Sequence, residues 1–264
     1  MRNLTGASIL AIDVKGEYQW LLGDFYGLHT RVVDPVVTPL NPCNGIDMLL
    51  SSIASVFDSR EARYFAEAVR IACEAREPLP HIVSDYVSSS ELSALASCFN
   101  SESPLSINDL RHGVNILYLG SLSRLCPSCL PVMYLYIVES MLASRSDSVT
   151  VLIVDEAWNL ARHVSPRDLA SYLRLARGAG VAFFMATQSL DDIKDFGVVL
   201  ENSSLALIFA ADPVAVARLS HYLKIPRSVL EEASKLYGVG ECIAKLPGAG
   251  GFRLCYVDPS PSHE

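Results

Sequence analysis

Two patterns of apolar and polar positions alternate along these 264 residues. Short runs, apolar on both faces and of strand length, are separated by longer stretches with helical spacing. ASILAI (7–12) and RVV (31–33) read as strands. A helical stretch follows from about Asp47 to Ala75, with Pro78 and Pro80 as stops, and SSSELSALASCF (88–99) reads as another helix. VNILYL (114–119) is a strand, and PVMYLYIVESMLAS (131–144) a helix with Pro131 in its first turn. VTVLIV (149–154) has the most buried-looking strand pattern. SPRDLASYLRLARGAG (165–180) predicts a helix with Ser165 as N-cap, Pro166 at the first position and glycines at its end. VAFFMA (181–186) and LALIFA (205–210) are strands, residues 213–223 and 226–236 are helical, and ECIAKL and FRLCYV form a closing hairpin around PGAGG.

Doubly apolar strands alternating with helices predict an α/β fold, with a mainly parallel sheet covered on both faces. The segment 47–103 carries no strand and reads as a helical insertion. The core is then 1–46 together with 104–264.

Composition narrows the class. Half of the residues are apolar and 19% are charged, enough for a large core and too few charges for wholesale disorder. A formal net charge of −8 gives no bulk attraction to nucleic acid or anionic lipid. No apolar run reaches the roughly 18 residues of a membrane span, since CLPVMYLYIVESMLAS (129–144) is interrupted by Glu139. The N-terminus has no charged-then-apolar signal pattern, so a soluble cytoplasmic chain is expected. The seven cysteines are odd in number and scattered, which does not suggest a disulfide framework. Cys126-Pro-Ser-Cys129 is a lone CxxC. Zinc needs four ligands and no second pair supplies the rest; a redox pair, an isolated disulfide and packing at a helix start remain open.

Chemistry concentrates where strands end. Asp155 and Glu156 close the strand 149–154, at the carboxyl edge where ligands sit in open α/β sheets. An Asp there can hold a magnesium ion bridging phosphates, and the next Glu can deprotonate an attacking water. A capping pair at a strand-to-helix turn explains the two carboxylates equally well. ATQS (186–189) ends the next strand, where the Gln188 amide can sense a phosphate, or the polar end can bond local backbone. Taken together and in this order, the two sites favour nucleotide chemistry. On the helix between them, Leu169, Tyr172, Leu173 and Ala176 form an apolar stripe, with Arg167, Arg174 and Arg177 on the opposite side. Such arginines form a solvated face or, in a ring-forming ATPase, reach a neighbour's phosphate. In IDVKGEYQWLL (12–22) a strand ends at Asp13 and turns through Lys15, Gly16 and Glu17, with Gly16 allowing a tight turn.

These segments resemble, in order, elements of the HerA/FtsK superfamily, the DNA-pumping ATPases that include the conjugation ATPases of type IV secretion. IDVKGEY resembles the family's D-P-x-G-E-Y element, and NILYLGSLS (115–123) its penultimate strand. VLIVDEAWNL (151–160) resembles its Walker B, and RLARGAG (174–180) followed by VAFFMATQS its R-x-x-R-x-x-G segment and sensor. VLENSSLALIFAADP (199–213) and LYGVGECIAKLPG (236–248) resemble the later strand and the Gly-Glu segment. The resemblance implies a RecA-like core, a hexameric ring, ATP and Mg2+ as cofactors, and hydrolysis driving double-stranded DNA through a pore, as in a helicase or translocase. It implies Asp155 as the magnesium ligand, Glu156 as general base, Gln188 as sensor, Arg174 or Arg177 as the arginine acting across subunits, and Asp13 and Glu17 on the nucleotide side. A nuclease or membrane-channel partner is also consistent with it.

The chain departs from the family in two places. No GxxxxGK[ST] occurs, and in the family that loop, its strand and its helix precede the DxxGEY element. FAADP (209–213) carries alanines where members often have an arginine. The expectation is therefore the C-terminal portion of a translocase motor, its P-loop (Walker A) segment upstream and its first strand missing, and inactive alone. The alternative is a non-catalytic pseudo-ATPase or structural ring subunit. An unrelated α/β enzyme is disfavoured, because the six histidines form no spaced constellation. The strand ending at Asp155 is expected beside the missing one, leaving an exposed edge and a tendency to self-associate.

Overall fold

The computed structural model describes residues 8–18, 30–143, 149–188, 196–209, 228–229, 240–246 and 252–257. The chain divides into two compact units, one of Met1–Ser165 with Arg174–Asp192, the other of Pro166–Leu173 with Ile193–Glu264.

The first unit is built on five parallel strands in the order β2-β3-β1-β4-β5. They are β1 (Ser8–Asp13), β2 (Thr30–Val33), β3 (Val114–Tyr118), β4 (Thr150–Val154) and β5 (Val181–Met185). The α/β architecture with a mainly parallel sheet is the one the apolar runs predict. β1 sits at the centre, with Leu10, Ala11 and Ile12 buried and its end at Asp13 wholly enclosed. β1 and β5 flank β4, in register at Ile12 with Val154 and Val154 with Met185. This corrects one expectation. Both edges of the Asp155 strand are occupied, so an absent strand cannot lie beside it. The sheet's two outer strands are β2 and β5, and β5 pairs with β4 alone among the described residues.

Between β2 and β3 run α1 (Ile46–Val56), α2 (Ser59–Ala75), α3 (Leu79–Tyr86) and α4 (Ser90–Ala96). The stretch read as one helix to Ala75 is two, because Phe57 is extended and the Asp58 carboxylate caps α2, accepting the Arg60 N–H at 2.7 Å. The prolines read as stops instead open α3, with Pro80 in its first turn, where a missing N–H costs nothing. α1 packs on α6 (Leu130–Ala143), which follows the short α5 (Gly120–Leu125). α6 is apolar around nearly its whole circumference, and Tyr134 and Tyr136 on it are completely buried. No described helix is long and apolar enough to cross a membrane.

Beyond β4 come α7 (Trp158–Ala161) and α8 (Pro166–Gly178). Leu169 and Ala176 of the predicted stripe are buried, whereas Arg167, Arg174 and Arg177 are exposed. Gly180 adopts φ +72°, a left-handed turn that an L side chain would strain, as the chain leaves α8 for β5.

The second unit contains α9 (Phe196–Asn202) and an antiparallel sheet of β6 (Ala206–Phe209), β7 (Glu241–Lys245) and β8 (Phe252–Tyr256). The predicted hairpin is β7 with β8. The Lys245 ammonium donates to the carbonyls of Leu200 (2.6 Å) and Ser203 (3.0 Å), at the end of α9 where a cation is favoured. The helices read at 213–223 and 226–236 lie almost entirely outside the described residues.

Three disulfides correct the reading of the cysteines: Cys43–Cys73, Cys126–Cys129 and Cys242–Cys255, with Cys98 a buried thiol. Linear spacing hides the pairs. Cys43 meets Cys73 only once α2 folds back onto the turn before α1, and Cys242 faces Cys255 only through the β7–β8 register. Cys126–Cys129 is one of the alternatives left open, a disulfide at the start of a helix.

Candidate functional site

The carboxyl ends of β1, β4 and β5 lie side by side and present the segments that the sequence singles out. Past β1, the buried Asp13 accepts the N–H groups of Gly16 (2.7 Å) and Glu17 (3.2 Å) on one oxygen and of Tyr18 (3.1 Å) on the other. Gly16 closes this turn at φ +80°. The effect is a rigid turn that holds out Lys15 and Glu17, both exposed.

Past β4, Asp155 and Glu156 take different surroundings. Asp155 is half-buried, accepts the Glu156 N–H on Oδ1 at 2.9 Å, and has its carbonyl bonded by the buried Tyr134 hydroxyl at 2.8 Å. Burial, and to a lesser extent the adjacent Glu156 charge, raise its carboxyl above the ordinary value of 3.8, although the Glu156 N–H works against the rise. Glu156 is only 7% exposed and adopts φ +47°. That left-handed conformation costs a residue with a Cβ about 1–2 kcal/mol, and at a strand end it is the kind of strain that accompanies function. Compensation comes from its contacts. Lys15 forms an ion pair with Oε1, the Trp158 indole N–H donates to Oε2 at 2.5 Å, and the Asn159 amide donates to the Glu156 carbonyl at 3.3 Å. The Glu156 carboxylate holds the Lys15 ammonium above its ordinary value. Trp158 in turn lies under Arg162, whose guanidinium carbon is 4.6 Å from the ring centre.

Past β5, Ala186 locks the two strand ends together, donating to the Val154 carbonyl (3.0 Å) and accepting from the Ala157 N–H (2.8 Å). Thr187 and Gln188 follow. Lys15, Glu156, Trp158, Arg162, His163 and Gln188 all line a cavity of about 840 Å³, whose far wall includes Phe57 and Glu91 from the helical run. Glu156 and Gln188 are therefore brought together. Arg174 and Arg177 stand exposed on α8 and do not line the cavity.

Comparison with known proteins identifies the architecture. The chain matches no protein-family model. VirB4 of Thermoanaerobacter pseudethanolicus superposes with a TM-score of 0.69 at 13% identity, over 98% of this chain and 83% of that one. The bacterial conjugative coupling protein TrwB superposes with a TM-score of 0.55 at 13% identity, over 96% and 86% of the two chains. TrwB in complex with ADP and Mg2+ gives 0.54 at 14% identity, again over 96% and 86%. The chain shares the fold of VirB4 and TrwB. In sequence, the DNA import protein CedB of Sulfolobus acidocaldarius is 42% identical over 59 residues, 21% of this chain and 10% of that protein. The match thus spans about a tenth of this curated relative's length.

TrwB, which shares the fold, is seen in complex with ADP and Mg2+, and the residues present here fit a magnesium held in part by its substrate. Magnesium takes one or two carboxylates and completes its shell with phosphate oxygens and water. Asp155 supplies such a carboxylate, and among the described residues no hydrogen bond reaches its Oδ2. No group of three or more His, Cys, Asp or Glu gathers as an all-protein cage among those residues.

Sequence reasoning missed Trp158, Tyr134 and Arg162. The available signal for Trp158 was an aromatic N–H donor two residues beyond a carboxylate pair. Tyr134 gave none, because it sits inside an apolar helix whose pattern announces only burial.

Proposed function

We propose that this chain is the Walker B, general-base and sensor portion of an ATP-driven DNA translocase of the HerA/FtsK type. The observation that carries the reading is the convergence of Glu156 and Gln188 on one cavity at the carboxyl edge of the parallel sheet, with Asp155 adjacent. The fold shared with VirB4 and with the conjugative coupling protein TrwB supports it, as does the short sequence match to a DNA import protein.

In this reading Asp155 would hold Mg2+, which would supply positive charge to offset that of the phosphates. Glu156 accepts the proton of the attacking water, and Gln188 bonds the terminal phosphate or that water. Asp13 acts through the turn it braces, and Glu17 projects from that turn on the nucleotide side. The phosphate cradle comes from a P-loop-bearing segment outside these 264 residues. Its strand joins β5, because β4 has no open edge and the sheet's other outer strand, β2, is remote from the site. Arg174 and Arg177, exposed on α8, act on a neighbouring subunit's nucleotide in a hexameric ring around double-stranded DNA. A nuclease or a membrane channel is the further partner such a motor takes. A non-catalytic ring subunit is the second reading, favoured by the lack of GxxxxGK[ST] in the chain.

The test is DNA-stimulated ATP hydrolysis. The 264-residue chain alone should show none. Joined to or co-expressed with its P-loop segment, found by translating upstream of Met1, it should hydrolyse ATP. Glu156→Gln should then lower the rate by about 100-fold or more, the usual contribution of a general base. Hydrolysis that survives Glu156→Gln sinks the assignment of the base. A completed protein that binds but never hydrolyses ATP establishes the second reading.

A further inference from the structure

Glu156 is placed where a general base is needed, yet both of its carboxylate oxygens are engaged, one by the Lys15 ammonium and one by the Trp158 indole. A carboxylate in that state is poorly placed to take a proton from water. The two donors differ in mobility. Trp158 is partly buried and packed beneath Arg162. The Lys15 side chain is 39% exposed, against 9% for that of Glu156. The backbone beneath Lys15 is fixed, because Asp13 accepts three N–H groups of its turn and β1 is hydrogen-bonded beside β4. Only the Lys15 side chain is at liberty to leave, and its exit leaves Glu156 held by Trp158 and Asn159.

We propose that Lys15 is a positioning residue that latches Glu156 until a terminal phosphate enters the cavity and takes the ammonium in its place. The proposal rests on the nucleotide-hydrolysis reading above and adds to it a specific control of the base. Lys15, Glu156 and Gln188 line the same cavity, so an anion that reaches the Gln188 amide enters the space that the Lys15 side chain borders. A terminal phosphate carries up to two negative charges against one on a carboxylate. A partly exposed ion pair is weakly held, so the exchange is easily driven. Once Lys15 has moved, Oε1 of Glu156 is available to a water beside the phosphate, while Trp158 and the left-handed backbone keep the carboxylate aimed. The base is thereby exposed only when there is a phosphate to attack.

The test uses the chain joined to or co-expressed with its P-loop segment, which supplies the phosphate cradle, and inorganic tripolyphosphate as the probe. Lys15 is followed by acylation with an N-hydroxysuccinimide ester and Glu156 by carbodiimide coupling, each read by peptide mass. Coupling is normalised to the exposed Glu67 on α2, and folding of each variant is checked by its melting curve. Glu156→Gln should speed Lys15 acylation about threefold, the factor expected for a partly exposed ion pair. Lys15→Met should raise Glu156 coupling by a similar factor, and Lys15→Arg should restore protection. The decisive arm adds tripolyphosphate to the unmutated chain. Glu156 coupling should rise to the Lys15→Met level while Lys15 stays protected, and in Lys15→Met the probe should change nothing. If Glu156 stays protected when tripolyphosphate is added, the latch is overturned, even if the variants show that the ion pair exists. If Glu156→Gln leaves Lys15 acylation unchanged, the pair itself is absent and the latch falls with it. Neither readout involves hydrolysis, so failure of the ATPase assay is separately visible.

Discussion

Burial raises the Asp155 carboxyl above 3.8, and the neighbouring Glu156 charge adds to the rise against the opposing Glu156 N–H. A folded carboxyl that holds its proton more tightly than the unfolded one makes stability fall as pH rises from 3.8 through the folded value. Above that window the charged Asp155 is a standing cost, of the kind functional sites carry. Asp155→Asn removes the titration while keeping the shape and the acceptor for the Glu156 N–H. The variant should therefore be more stable than the unmutated chain at neutral pH, and the gap should close toward pH 4. Thermal unfolding across that range checks it, and a gap independent of pH would refute the argument. The residue scale also shows how far the sequence could be read. Asp155, Glu156 and Gln188 were legible because each follows an abrupt apolar-to-polar junction at a strand end. The Lys15–Glu156 pair was not, since it exists only because β1 and β4 are neighbours. The left-handed backbone at Glu156 had no local signal either, because a carboxylate gives no warning of positive φ.

At the scale of elements, periodicity located all eight described strands, and it failed where capping and cross-links decide. The α1–α2 break rests on a single Asp58 cap in an otherwise continuous helical pattern. α3 begins among prolines that the same pattern treats as terminators. The cysteines were misjudged because a disulfide depends on Cα atoms brought close, 5.6 Å apart for Cys43 and Cys73, and not on spacing along the chain. That bond ties the turn before α1 to α2 across 30 residues. A loop of this size removes enough unfolded-chain entropy to stabilise by about 3–4 kcal/mol. The double variant Cys43→Ser with Cys73→Ser should lose about that much in urea unfolding, and a reductant, which also opens the other two disulfides, should lower the midpoint of the unmutated chain at least as far. Should the double variant unfold at the original midpoint, the two thiols are not joined in solution.

For the whole molecule, the sequence indicated the strands but not their order, because β1, β3 and β4 are all apolar on both faces and interchangeable as sheet centres. Their order matters for what the isolated chain does. β5 is an outer strand, and parallel sheets are ordinarily covered on both faces. Yet its burial is incomplete, and Phe184 is 52% exposed. An open strand edge with an exposed aromatic is a template for pairing. If a P-loop strand normally lies there, the 264-residue chain must present that edge to other copies. We therefore expect concentration-dependent self-association, seen as a rising weight-average mass in sedimentation velocity. Phe184→Lys adds a charge on the edge strand and should shift the distribution toward monomer without lowering the melting temperature, since the side chain is already half in water. Joining the P-loop segment should suppress the same association by filling the edge from within. If Phe184→Lys leaves association untouched while the joined segment abolishes it, the contact lies elsewhere on the surface that segment covers. If neither change has an effect, β5 is not where the sheet is completed, and the placement of the phosphate loop beside Gln188 falls with it.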